Sequence, residues 1–249
     1  MEKLKDKIVL ITGGGRGIGL GIAKLFESEG AIIVITSRNP HNIEKSIQLE
    51  HINVMKCDIT KQNSVNTVVK EIYKKFGRID ILVNNAGIFP KIKPLHKITE
   101  KEWNDVINVD LTGQFRVTKS VIPHMMKKKN GSIINISSDA GLKAFENFHA
   151  DAYSAAKSAL IQLTKNWALE YAKFNIRVNC ICASVVETDM TKKLWLSSEK
   201  KRKSTINEHP LGRIGDVKDI ALAVLYFASN DSAWTTGAIL PVDGGISIK

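Results

Sequence analysis

The most constraining feature of this chain is a set of short apolar runs that barely alternate. They are "KIVLIT" (7–12), "IIVIT" (32–36), "VMKCDI" (54–59), "DILVNNAG" (80–87), "SIINISS" (132–138), "RVNCICA" (177–183) and "AILPVD" (238–243). A strand with one wet face alternates apolar and polar residues, whereas a strand covered on both faces reads as continuous Ile and Val. The segments between the runs have helical length and one-sided apolar patterning. "GIGLGIAKLFESEG" places Ile18, Ile22, Leu25 and Phe26 on one face and stops at Gly30, and "SVNTVVKEIYKKFG" repeats the plan and stops at Gly77. Strand and helix alternating in this way predict an α/β fold, a doubly wound parallel β-sheet of about seven strands with helices on both faces. With no linker, repeat or low-complexity block, residues 1–249 read as a single domain.

Charge and cysteine content narrow the function classes. The net charge of +11 raises the possibility of a nucleic-acid partner. However, the basic residues are scattered, and the short runs at 127–129 and 200–203 carry no interleaved aromatics, so a solvated face or an anionic small molecule is the expected partner. No apolar run approaches the roughly 20 residues that span a bilayer. The "IVLI" near the N-terminus is too short for a signal-peptide core, which leads to a cytoplasmic expectation with no membrane partner. Cys57, Cys180 and Cys182 have no metal-ligand spacing and are expected to be buried strand residues, with the sulfurs of Cys180 and Cys182 on one face. No metal site is expected.

"TGGGRGIG" (12–19) lies between the first strand and the first helix. Gly13, Gly17 and Gly19 permit a tight turn and close approach to a pyrophosphate, which the free N–H groups of the helix start would receive. The second strand ends in Ser37 and Arg38, and Arg16 sits in the glycine loop. An acidic residue at that strand end suits the ribose 2′-hydroxyl of NAD. Two guanidinium groups and a hydroxyl suit the 2′-phosphate of NADP.

Further along, Tyr153 and Lys157 stand at i and i+4, so they share a helix face. An ammonium beside a phenol favours the phenolate and brings tyrosine towards use as an acid or base.

These motifs together resemble the classical short-chain dehydrogenase/reductase family, in its NADP-preferring subset, over essentially the whole chain. The resemblance rests on "TGGGRGIG", "CDIT" (57–60), "NNAG" (84–87), "NVDL" (108–111), "INISS" (134–138), "YSAAK" (153–157), "RVNCI" (177–181) and "VDGG" (242–245). It implies a Rossmann-like fold and a cofactor loop of Gly13, Gly15, Arg16, Gly17, Ile18 and Gly19. Asp58 and the backbone of Ile59 would meet the adenine, and Asn85, Ala86 and Gly87 would pass under its ribose. Val186 and Thr188 would contact the nicotinamide amide and the diphosphate. Ser138, Tyr153 and Lys157 would be catalytic, with Asn108 as a fourth member. Ser138 is chosen over Ser137 because it is the last of the strand-end pair. Tyr153 would give its proton to a carbonyl oxygen held by Ser138 as hydride arrives from NADP(H), and Lys157 would also hold the nicotinamide ribose. The resemblance further implies a homotetramer or dimer.

The expected activity is therefore an NADP(H)-dependent carbonyl reductase acting on a ketone, dicarbonyl or 3-oxoacyl substrate. A sugar or polyol dehydrogenase is the alternative within the family, and a non-catalytic dinucleotide sensor the alternative outside it. Three features depart from the family pattern. The loop between Ser138 and Tyr153 is about two residues longer, within "KAFENFHAD" (143–151), where His149 reads as a surface residue rather than a substrate contact. Ala183–Ser184 stands where Pro-Gly is usual, which predicts a steric cost at Ser184 if its φ is positive and a looser chain beyond it. Residues 189–210 are helix-prone and strongly charged around "LWL" (194–196), and read as a substrate flap rather than an inert insertion.

Overall fold

A computed structural model describes residues 2–40, 43, 51–146 and 148–249. Seven strands, β1 (Ile8–Thr12), β2 (Ile32–Ser37), β3 (Ile52–Lys56), β4 (Ile81–Asn84), β5 (Gly131–Ser138), β6 (Ile176–Ala183) and β7 (Ile239–Val242), form one sheet. Their order is β3-β2-β1-β4-β5-β6-β7 and every neighbouring pair is parallel. The order reverses direction between β1 and β4, which opens a crevice beyond their carboxyl ends.

The unbroken apolar runs have a direct cause. Val9, Ile11, Ile33, Ile35, Ile134 and Ile181 pack to one side, against Ile22 and Phe26 of α1 (Gly17–Ser28) and Val224 and Phe227 of α8 (Val217–Ala228). Their neighbours Ile8, Leu10, Val34, Leu82, Ile133 and Val178 pack to the other side. There they meet Val68 and Ile72 of α2 (Gln62–Phe76), Val121 and Met125 of α4 (Gln114–Lys128), and Leu160 and Trp167 of α5 (Asp151–Tyr171). Both faces are dry, so both residue parities must be apolar.

The sequence-based boundaries need two adjustments. The third strand runs Ile52–Lys56 instead of 54–59, because pairing with β2 ends at Ser37↔Lys56 and Asp58 turns the chain by accepting from the Thr60 amide. The helix-prone stretch after β6 is two helices, α6 (Asp189–Leu194) and α7 (Glu199–Glu208), interrupted after Leu194. The remaining described helix, α3 (Glu100–Ile107), opens with a Thr99–Glu102 capping box and runs into a π-helical stretch, Asn108–Gly113, before α4. Among the described residues no helix is long and apolar enough to cross a membrane.

The amino-terminal edge of the sheet is held by Asp80, whose side chain is almost fully buried. Its carboxylate accepts from the Ile8 amide at 2.9 Å, pairs with Arg78 at 3.0 Å and takes Lys128 on its other oxygen. Removing it leaves the buried Ile8 amide without its acceptor and takes the counter-charge from Arg78 and Lys128, which keep contact with water. Asp80→Ala is expected to lower the unfolding free energy by about 1–3 kcal/mol. Urea denaturation measures this; a loss below about 1 kcal/mol would mean that water replaces the carboxylate.

Candidate active site

A cavity of about 1020 Å³ opens beyond the carboxyl ends of β1, β4, β5 and β6. Its floor at one end is the glycine loop. Gly13 has φ +66°, and a Cβ there would lie 2.9 Å from the Ala86 Cα, so the turn can be made at this distance from β4 only by glycine. Arg16 precedes α1, and no side chain caps the helix, which leaves its first amides free for an anion. The Asn85 amide group donates to the Thr12 and Gly13 carbonyls and locks the loop to the "NNAG" segment.

The sequence-predicted cofactor residues converge on this cavity. Gly13, Gly15, Arg16, Gly17, Ile18, Gly19, Ser37, Arg38, Asp58, Ile59, Asn85, Ala86, Gly87, Val186 and Thr188 all line it. Arg16 and Arg38 are both exposed at its rim. Asp58 is held below the usual carboxylate range: its burial acts the other way but is outweighed by hydrogen bonds from Thr60 and by the charges of Lys61 and Arg38.

At the other end, Ser138 leaves β5 beside Tyr153 and Lys157 of α5, and all three line the cavity. Lys157 is buried; its ammonium donates to the Ile136 carbonyl at 3.0 Å and lies 5.4 Å from the Tyr153 ring centre. Ser137 is not available, since its hydroxyl donates to the Lys157 carbonyl at 2.8 Å. Lys157 lowers the phenol pKa, as the spacing suggests. Burial outweighs it, and Asp110 and Asp139 add to burial, so the phenol lies above its ordinary value.

Asn108 does not join this group. Its side-chain Oδ1 accepts from Arg116 at 2.7 Å, and it does not line the cavity. Asp110, two residues on, takes the expected place: it is fully buried, 3.6 Å from the Lys157 ammonium, and its other oxygen accepts from the Ile88 amide at 2.9 Å. Two residues along a helix turn a side chain by roughly half a turn, so choosing between 108 and 110 selects opposite faces. Burial pushes the Asp110 carboxyl upward, and Lys157 opposes that shift.

Aromatic rings form the outer wall. The Phe89 ring centre is 5.0 Å from Tyr153, 4.9 Å from Trp195 and 5.7 Å from Phe148, each edge-on or nearly so. Phe145 and Phe148 come from the long loop before α5, in which Asn147 lies outside the described residues. His149 of that loop is exposed and away from the cavity. Trp195 and Met190 bring the segment after β6 to the same space. Ser184 does not adopt a positive φ, so the expected steric cost is absent; its hydroxyl instead lies 3.0 Å from His209 Nε2. Cys57, Cys180 and Cys182 are free and buried, and Cys180 and Cys182 share one cluster with Ile161.

Comparison with known proteins agrees with this geometry. A family model described as enoyl-(acyl-carrier-protein) reductase matches residues 13–247. A 3-oxoacyl-(acyl-carrier-protein) reductase of Thermotoga maritima is 38% identical over 99% of this chain and 100% of its own. The ligand-free aldohexose dehydrogenase of Thermoplasma acidophilum superposes with a TM-score of 0.91 at 35% identity, covering 100% of this chain and 96% of that one. ElxO with NADP bound superposes with a TM-score of 0.92 at 34% identity, covering 98% of this chain and 100% of that one.

The glycine turn yields a direct test. Gly13→Ala forces a left-handed backbone on alanine and pushes the loop away from Ala86. It is expected to weaken dinucleotide binding by roughly tenfold or more, at a stability cost of about 1–2 kcal/mol. Fluorescence titration with reduced dinucleotide checks the first effect and thermal denaturation the second.

Proposed function

We propose that this chain, which belongs to the short-chain dehydrogenase/reductase family and is therefore a nicotinamide-dependent oxidoreductase acting on a carbonyl or CH–OH group, is an NADPH-dependent reductase of apolar ketones, dicarbonyls or 3-oxoacyl compounds. The observation that carries the reading is the meeting of Ser138, Tyr153 and Lys157 on one wall of a cavity whose far end is the glycine loop.

The glycine turn, the free amides of α1 and the Asn85 lock fit a pyrophosphate, and Arg16, Ser37 and Arg38 fit a 2′-phosphate. When bound, the dinucleotide supplies or accepts the hydride. In reduction Ser138 orients the substrate oxygen and stabilises the negative charge that develops on it. Tyr153 gives that oxygen its proton, and a phenol kept above its ordinary pKa is fully protonated at neutral pH, the form reduction needs. Lys157 meets the resulting phenolate with its positive charge, and Asp110 holds Lys157 charged and in place. Phe89, Phe148 and Trp195 exclude water around the reacting carbon and favour an apolar neighbour to the carbonyl over a polyhydroxylated one. We assign residues 189–210 as a flap over this space, since Met190 and Trp195 line it. Exposed Leu169, Tyr226 and Trp234 support self-association as a homotetramer or dimer.

The reading is tested by following NADPH and NADH oxidation with ketones, 3-oxoacyl thioesters and aldoses. NADPH is expected to bind about 10- to 100-fold more tightly than NADH, the worth of a charge-assisted phosphate contact. Arg38→Asp is expected to reverse the order. Equal binding of the two by the wild-type enzyme would remove the NADP assignment.

A second outcome follows from Asp110. Its negative charge raises the Tyr153 pKa, so Asp110→Asn is expected to lower it. Reduction uses the protonated phenol, so its alkaline limb should move to lower pH; alcohol oxidation, which uses the phenolate, should extend to lower pH. The kcat–pH profiles in both directions measure the shift.

A further inference from the structure

Three segments far apart in sequence meet beside the aromatic wall: the loop before α5, the end of α7 and the residues that follow β7. The last of these form a tight turn. Gly244 and Gly245 both have positive φ, +63° and +87°. The Asp243 carboxylate accepts from the Gly245 amide at 2.9 Å and from the Ser247 amide at 3.1 Å. A Cβ on Gly245 would lie 3.2 Å from the Pro210 ring, and the Leu211 amide donates to the Gly244 carbonyl at 3.1 Å. The turn is thus seated on the chain that leaves α7. Ile246, just beyond it, is buried, and Ile246 and Lys249 both line the cavity.

Two lysines join this turn to its neighbours. Lys143 Nζ, from the loop before α5, donates to the Ile246 carbonyl and to the Lys249 main-chain oxygen, each at 3.0 Å. Lys249 Nζ donates to the Asn207 carbonyl of α7 at 3.1 Å. The Lys143 ammonium also lies 5.2 Å from the Phe145 ring centre, within cation–π range. Ring contacts run inward from there. Phe145 is 5.9 Å from Phe148, Phe148 is 5.7 Å from Phe89, and Phe89 meets both Tyr153 and Trp195. Otherwise the loop is lightly held. Among the described residues, the hydrogen bond that ties residues 144–149 to a distant part of the chain runs from the Lys93 amide to the His149 carbonyl. The placement of Phe145 and Phe148 therefore depends on Lys143.

We propose that Lys143, Lys249 and the turn at 246–249 form a clasp that fixes the aromatic wall around the substrate, and that this clasp makes the site selective for compact apolar carbonyl compounds over long acyl chains. The inference rests on the reading of the cavity as a carbonyl-reductase site. One cavity of about 1020 Å³ has to take the dinucleotide and the substrate together. Pockets of about 300–1,000 Å³ are already filled by a single drug-sized ligand. Little room is left beside the reacting carbonyl, so its extent depends on whether the wall can yield. The wall consists of connecting segments, which are the mobile parts of such a fold. Lys143 ties the loop to the turn, and Lys249 ties the turn to α7, so neither segment can move outward alone. Lysine suits the junction because one ammonium carries three donors and two main-chain oxygens meet there. Lys143 is a positioning residue, acting on the substrate through Phe145, Phe148 and Phe89.

The test compares acetophenone, a compact apolar ketone, with a long-chain 3-oxoacyl thioester at saturating NADPH. The wild-type enzyme is expected to have the higher kcat/KM for acetophenone. Lys143→Met keeps the unbranched stem and removes the donors. Its KM for acetophenone is expected to rise about tenfold, the loss that goes with one charged hydrogen bond, while kcat and NADPH Kd stay within about twofold of wild type. Its KM for the thioester is expected not to rise, so the preference narrows. Lys143→Arg, whose guanidinium can serve both oxygens, is expected to restore the wild-type KM. Hydrogen exchange followed by mass spectrometry reads the clasp itself. In Lys143→Met, exchange should quicken in peptides from all three segments, 143–149, 199–210 and 244–249. Quickening confined to 143–149 overturns the proposal, as does an unchanged preference or a wild-type enzyme that favours the thioester. If Lys143→Met fails to fold, Lys249→Met alters an exposed side chain instead. Faster exchange at 199–210 and 244–249 in that variant supports the clasp, and unchanged exchange overturns it. A wild-type enzyme that oxidises NADPH with neither compound removes the reductase reading, and the exchange result then decides the clasp by itself.

Discussion

The buried ammonium of Lys157 is the interaction on which the site depends. A lysine this deeply buried, 4% exposed, is costly unless its charge is met. Here it is met from three directions: Asp110 at 3.6 Å, the Ile136 carbonyl at 3.0 Å and the Tyr153 ring at 5.4 Å. Each partner belongs to a different element, so the charge fixes the π-helical stretch, β5 and α5 relative to one another. The approach is close enough that a Cβ on Gly87 would lie 3.0 Å from Asp110 Oδ2 and 3.6 Å from the ammonium. The glycine of "NNAG" thus makes room for the ion pair as well as for a ligand.

The parallel sheet makes this convergence possible. Every strand ends on the same side, so residues at the carboxyl ends of β1, β4, β5 and β6 meet without long loops. The glycine loop and the Ser138–Tyr153–Lys157 group sit at opposite ends of one cavity because β1 and β5 are separated only by β4. The chemistry is therefore set by the spacing of strands, which the two dry faces of the sheet hold rigid. The substrate wall, by contrast, comes from connecting segments, the loop before α5 and the segment after β6, where insertions change the pocket without disturbing the sheet.

Much of this was legible in the sequence, for physical reasons that can be named. Unbroken Ile and Val runs reveal strands covered on both sides, and a glycine cluster between strand and helix reveals a phosphate-sized turn. Tyr153 and Lys157 are readable because i and i+4 always share a helix face. The failures are equally specific. Asn108 was a plausible fourth member by residue type, but the turn from α3 through the π-helical stretch points it towards Arg116 and brings Asp110 inward. Nothing in a helical period announces a π-helical insertion. Ser184 was readable as a departure but not as a hydrogen-bond partner, since His209 is 25 residues away and becomes its neighbour only when α7 folds back. The aromatic wall was half visible: the extra loop length was plain, whereas the meeting of Phe89, Phe148 and Trp195 is a property of the fold alone.

The central claim is that Tyr153, supported by Lys157, gives the proton that accompanies hydride transfer. Stopped-flow single-turnover reduction of a ketone by Tyr153→Phe tests it most directly, because the change deletes the transferable proton and leaves the ring. The account predicts a rate lowered by about 10²- to 10⁴-fold, with NADPH affinity within a few-fold of wild type. Retention of more than about a tenth of the wild-type rate, a loss far smaller than general-acid catalysis supplies, would contradict it.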